Sequence, residues 1–139
     1  MKCLRQLEEK HSKFMEELAQ SGIETAQRVG AFRCIAEDNE KPIGLVDFWE
    51  DEAFVEPHID WHPKATKREK YRVFVAGMND FLGFKSVILK VADSETPFFD
   101  MWVKRGALRK VGILEDVSIG NVKELHIYQL RRDYFVKNI

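Results

Sequence analysis

Leu4, Leu7, His11, Phe14, Met15 and Leu18 recur at spacings of three and four with polar residues between them, which predicts an amphipathic helix ending near Gly22. From Ala31 to Glu37 and from Pro42 to Glu50 the period changes, and β-branched and aromatic residues predominate. Asp38-Asn39-Glu40-Lys41 between them is turn chemistry, so the two stretches read as an antiparallel hairpin. Ala53 to Trp61 alternates as a third strand, with Pro57 predicting a bulge or a sheet edge because it has no N–H. Thr66-Lys67-Arg68-Glu69 matches a capping box, and Tyr71, Phe74, Val75, Met78, Phe81 and Leu82 line one face of the helix it opens, which runs to Gly83. A buried strand follows at Ser86 to Val91. Thr96-Pro97 starts a short helix over 97–105, and Gly106 closes it. Leu108 to Leu114 and Val122 to Arg131 form a last hairpin around Gly120-Asn121. The order is an α/β arrangement with a β-α-β step in its middle, read as a single domain over 1–139.

Composition narrows the function classes. A chain of 139 residues, 45% apolar, suits one packed core. Its 22 basic and 23 acidic residues nearly cancel, which argues against a general nucleic-acid or membrane-surface binder. Cys3 and Cys34 lack metal-type spacing, and the charged N-terminal stretch is no signal peptide, so a reduced, cytoplasmic setting is expected.

Glu56, His58, Asp60 and His62 alternate along the third strand and so share one face. Glu56 and His58 are candidate bases if the protein is an enzyme. His58-x-Asp60-x-His62 also has the form of a metal trio, but no fourth ligand is suggested, and the expectation is no metal. A hydrated strand edge of mixed charge is the plainer reading of the same residues. Trp49, Trp61, Phe32, Phe98 and Phe99 are expected in the core. Phe98, Phe99, Met101 and Trp102 cover more than one helix face, so Phe98, Phe99 and Trp102 are candidates for contact with another protein.

The ordered elements, with Pro42-Ile43-Gly44-Leu45-Val46, Ile59-Asp60-Trp61-His62-Pro63, Trp102-Val103-Lys104-Arg105-Gly106-Ala107 and Leu125-His126-Ile127-Tyr128-Gln129-Leu130, resemble the GNAT superfamily of N-acetyltransferases. The resemblance implies a coenzyme A site at the start of the long helix, where the family carries a glycine-bearing loop. Here Pro63 to Tyr71 contains no glycine. Lys64, Thr66, Lys67, Arg68 and Lys70 are the residues left to hold an anion there. The resemblance also implies a tyrosine general acid where this chain has Trp102, whose indole N–H has no accessible pKa.

Ser21-Gly22-Ile23, Pro42, Lys64 to Arg68 and Lys104 to Ala107 resemble small phage-encoded GNAT-like proteins, the T7-like internal core protein and the P22-like head-assembly protein. That likeness, with the degenerate cofactor loop, implies a non-catalytic virion, head-assembly or ejection-related binding module with no cofactor and a protein partner. The alternative is an acyl-coenzyme-A-dependent N-acetyltransferase acting on an amine with acetyl-CoA.

Overall fold

The computed structural model describes residues 3–82 and 85–137. Gly83, the expected helix terminator, lies outside them. One seven-stranded sheet runs in the order β1-β2-β3-β4-β5-β7-β6. Its strands are β1 (Leu4–Arg5), β2 (Phe32–Asp38), β3 (Lys41–Glu50), β4 (Phe54–Trp61), β5 (Ser86–Ala92), β6 (Leu108–Ile119) and β7 (Val122–Leu130). The helices are α1 (Ser12–Gln20), α2 (Lys67–Leu82), α3 (Thr96–Lys104) and α4 (Arg132–Lys137). β4 and β5 are the parallel neighbours, joined by α2; the other pairs are antiparallel.

The N-terminal expectation needs correction. Only Ser12–Gln20 of the predicted helix is α-helical, and Leu4–Arg5 is a strand. Leu4 pairs with Ala36 and Arg5 with Ile35, and the Cys3 carbonyl accepts from the Glu37 amide at 2.8 Å. The open edge of β2 offers backbone hydrogen bonds that no helical spacing foretells. Leu7, on the expected stripe, stays 38% exposed. At the junction His11 is buried; its Nδ1 accepts from the Glu8 amide, so its hydrogen is on Nε2 and is donated to Glu37 at 3.0 Å.

The two faces of the sheet carry different loads. Phe14 and Leu18 of α1 pack on Ile35 and Leu45 on one face. On the other, Phe74 and Met78 of α2, Trp102 of α3 and Phe135 of α4 pack on Val87, Leu89, Val91 and Tyr128. Thr66 and Glu69 form the predicted box, with Thr66 N–H donating to Glu69 Oε1 at 2.8 Å and Glu69 N–H to Thr66 Oγ1 at 3.1 Å. Gly106 takes φ +83°, the left-handed cap that stops α3.

Trp102 is 2% exposed, stacked on Phe74 at 4.8 Å. An aromatic of this size removes roughly 200 Å² from water, about 5 kcal/mol of transfer free energy, which fixes α3 against α2. Its burial removes Trp102 from the surface that a partner would touch. Phe98 and Phe99 are half-buried and pack on the same core. Phe32, expected inside, is 59% exposed and stacks on Phe48 at the start of β2.

Both cysteines are free. Burial pushes each thiol up to about 12; the negative charge of Asp80 adds to this at Cys3, and Cys3 itself and Asp47 add to it at Cys34. At pH 8 only about one thiol in ten thousand is then ionised. Native protein is therefore expected to resist iodoacetamide and to alkylate at both positions once denatured, as read by intact mass; rapid native alkylation would contradict this environment.

Candidate functional site

The parallel seam between β4 and β5 opens early. Phe54 pairs with Ser86 and Val55 with Val87, and pairing goes no further among the described residues, although β4 continues to Trp61 and β5 to Ala92. On its other edge β4 stays paired with β3 from Glu50↔Val55 to Gly44↔Trp61. The break anticipated at Pro57 thus falls on the β5 side, with no bulge toward β3. From Glu56 on, the β5-facing edge of β4 is a wedge-shaped opening.

Side chains on the α1 face of this opening follow from register. Leu45, which packs under α1, lies opposite Asp60; Asp47 lies opposite His58 and Trp49 opposite Glu56. Glu56, His58 and Asp60 therefore share that face, as their alternation predicted. On β5, Leu89 and Val91 are in the core, which sends Lys90 to the α1 face. Lys90 Nζ meets Glu56 Oε1 at 2.6 Å, one arm of the wedge reaching the other. Trp49, Glu50, Phe54, Glu56, Ile88 and Lys90 line a cavity of about 320 Å³ at the closed end.

His58 is bound differently. Arg28, from the loop between α1 and β2, donates to Asp47 Oδ2 at 3.0 Å and to His58 Nε2 at 3.0 Å, and lies 3.4 Å from Asp60 Oδ2. Nε2 also lies 3.3 Å from Asp60 Oδ1, so this nitrogen is engaged from two sides inside the cluster, by a guanidinium that donates and a carboxylate that accepts. Arg33 grips Asp47 from the other side through Nε at 2.8 Å and holds the loop through the Thr25 and Ala26 carbonyls. Burial alone would raise the Asp47 carboxyl, but the hydrogen bonds from Arg33 and Arg28 outweigh it and hold it below the ordinary range. For Asp60, too, burial is outweighed by His58 and Arg28. His62 leaves the group: it pairs with Glu17 and stacks on Phe14 at 5.7 Å. Among the described residues no set of three His, Cys, Asp or Glu could hold a metal ion.

Sequence reasoning missed Arg28, Asp47 and Lys90. Asp47 had a signal, a lone acid inside Ile43 to Trp49. Arg28 had none, because only the loop's path brings it over the sheet.

At the other end of the wedge, Lys64, Thr66, Lys67 and Arg68 are exposed around the start of α2, and Lys70 is half-buried. The box occupies the amides of Thr66 and Glu69, while Lys67 and Arg68, first in the helix, have no acceptor four residues back. Lys67 Nζ also lies 5.6 Å from the Tyr71 ring centre. Phe98 packs between the end of β4 and α2, 6.0 Å from Trp61 and 5.8 Å from Tyr71 between ring centres. Trp102 Nε1 is buried with no partner among the described residues. Tyr128 donates its hydroxyl to Asp100 at 2.7 Å, and burial followed by that carboxylate pushes its ionisation well above the ordinary range.

Spermidine/spermine N-acetyltransferase from Vibrio cholerae has this architecture, with a TM-score of 0.65 and 18% identity over 97% of this chain and 95% of that one. The fold is that of the GNAT N-acetyltransferases. The ribosomal-protein-S18-alanine N-acetyltransferase from Escherichia coli shares it at a TM-score of 0.64 and 13% identity, over 94% and 93%. A chimera of the Vibrio cholerae enzyme reaches 0.71 at 17% identity, over 96% and 97%. No protein-family model and no curated protein matches the sequence.

The expectation of a non-catalytic phage module is corrected by these likenesses. These three structures, which share the fold over nearly the whole of both chains, are acetyltransferases, and they lend no support to a special closeness to phage proteins or to the expectation of no cofactor. The missing glycines are a weak argument on physical grounds as well, because free amides at a helix start belong to the helix and do not require glycine. No described helix is long and apolar enough to cross a membrane.

Proposed function

We propose that the protein is an acyl-coenzyme-A-dependent N-acyltransferase whose acceptor is a cationic amine. One observation carries the reading: β4 parts from β5 immediately beyond Val55, and Glu56 stands at the point of parting. The residues present suit the cofactor. Free amides at Lys67 and Arg68, with the charges of Lys64, Lys67 and Arg68, suit its phosphates, and the β5-facing edge of β4 offers backbone hydrogen bonds to an extended polar arm. When bound, the thioester would supply the activated acyl group.

The acceptor cavity is lined by Glu50, Asp51, Glu56 and Lys90 beside Trp49, Phe54 and Ile88, so its carboxylates outnumber its one cation. Carboxylates with aromatic faces favour an amine that arrives as a cation. Glu56 then takes the proton that the amine must lose to become a nucleophile. His58 has its Nε2 held by Arg28 and serves to position the loop. Trp102 does not ionise, and Tyr128 is committed to Asp100, so neither reprotonates the leaving thiolate. A thiol with an ordinary pKa of about 8.5 leaves readily without one.

The test is linkage. At a hundred times its dissociation constant, acetyl-CoA is expected to stabilise the fold by about 2.7 kcal/mol, and Lys67→Glu with Arg68→Glu is expected to abolish most of the shift. A melting temperature that acetyl-CoA leaves unmoved in the native protein would sink the reading.

A further inference from the structure

Resting on the reading above, we propose that Lys90 is itself acylated by this site, and that this modification frees Glu56 to serve the external acceptor. Lys90 lies three residues beyond Val87, the last position of β5 paired with β4, and its side chain crosses the wedge to Glu56. The pair is 47% and 28% exposed, and an ion pair as wet as this adds little to stability. What it does accomplish is chemical: it holds a primary amine 2.6 Å from the carboxylate assigned as base, where the two strands part. While Lys90 occupies Glu56, an arriving ammonium meets a carboxylate already neutralised.

The step balances with an acyl thioester as co-reactant. The Lys90 ammonium gives a proton to Glu56, the neutral Nζ adds to the thioester carbonyl, a C–N bond forms and the C–S bond breaks. The thiolate leaves as a thiol with the second proton that Nζ sheds, and Glu56 releases the first to solvent, which restores the carboxylate. The product is an uncharged amide that no longer forms an ion pair with Glu56, so the carboxylate becomes available to an external amine.

Lys85 supplies an internal comparison. Its Nζ is also 2.6 Å from a carboxylate, that of Glu50, but Lys85 precedes the first paired residue of β5 and does not line the cavity that Lys90 lines. If proximity to a carboxylate were sufficient, both lysines would react.

Purified protein is incubated with acetyl-CoA and digested, and acetyl occupancy is read lysine by lysine by mass spectrometry, with the thermal shift and acylation of a panel of added amines measured on the same sample. Lys90 is expected to react at least about tenfold faster than Lys85, and Glu56→Gln is expected to slow it about a hundredfold, the span of a general base. Acylation of added amines should begin with a lag that preincubation with acetyl-CoA removes and that Lys90→Gln lacks. Cofactor binding and amine acylation with Lys90 unmodified, or modified no faster than Lys85, overturns this inference and leaves the proposed function standing. A sample that acetyl-CoA does not stabilise overturns both.

Discussion

Glu56→Gln is expected to lower the turnover of amine acylation by about a hundredfold or more, with a much smaller change in the acceptor KM. Glutamine keeps the volume and one hydrogen-bonding oxygen at the parting of β4 and β5, and it removes the proton acceptor. Because the partner Lys90 is about half exposed, the same change should move the melting temperature little. That contrast separates chemistry from folding. His58→Gln provides the counter-experiment: Arg28 already occupies Nε2, so the loss there should be several times smaller and should arrive with a loosened loop. A larger turnover loss at His58 than at Glu56 would transfer the role of base to the histidine.

Asp47→Ala is expected to cost about 3–5 kcal/mol of folding stability, read from urea denaturation midpoints. The Asp47 side chain is fully buried and Arg33 is only 8% exposed, so removing the carboxylate leaves a guanidinium with little water to replace it. Arg28, 31% exposed, would be partly rehydrated and would release its hold on His58 and Asp60. Asp47→Ala combined with Arg33→Met should recover part of the loss, since it removes the stranded charge. Acid should mimic the single change. The folded carboxyl lies below its unfolded value, so its contribution is fully present above the unfolded pKa of about 3.9 and is lost as pH falls through the folded one. A loss under about 1 kcal/mol in Asp47→Ala would mean that water screens the cluster.

Much of this arrangement was legible in advance. The capping box at Thr66 and Glu69, the turn at Asp38 to Lys41, the left-handed Gly106 and the common face of Glu56, His58 and Asp60 all depend on residues within a few positions of one another. Their side chains satisfy local backbone groups or follow the two-residue repeat of a strand. Leu4 and Arg5 were misread because the helical spacing there is real, and a distant strand edge offered the backbone a better set of partners. At the loop before α2 the missing glycine pointed the reading away from catalysis, although the unpaired amides of a helix start do not depend on glycine.

What the sequence by itself determined is the order of elements from α1 to β7, the amphipathic faces and which acidic and basic residues share a strand face. Tertiary structure alone decided where β4 leaves β5, that Lys90 reaches Glu56 across the opening and that Arg28 and Asp60 both engage His58. The reason is separation along the chain. Glu56 and Lys90, or Arg28 and His58, meet only after α2 has carried the chain from β4 to β5 and the loop after α1 has folded over the sheet, and no periodicity within one segment encodes such a meeting.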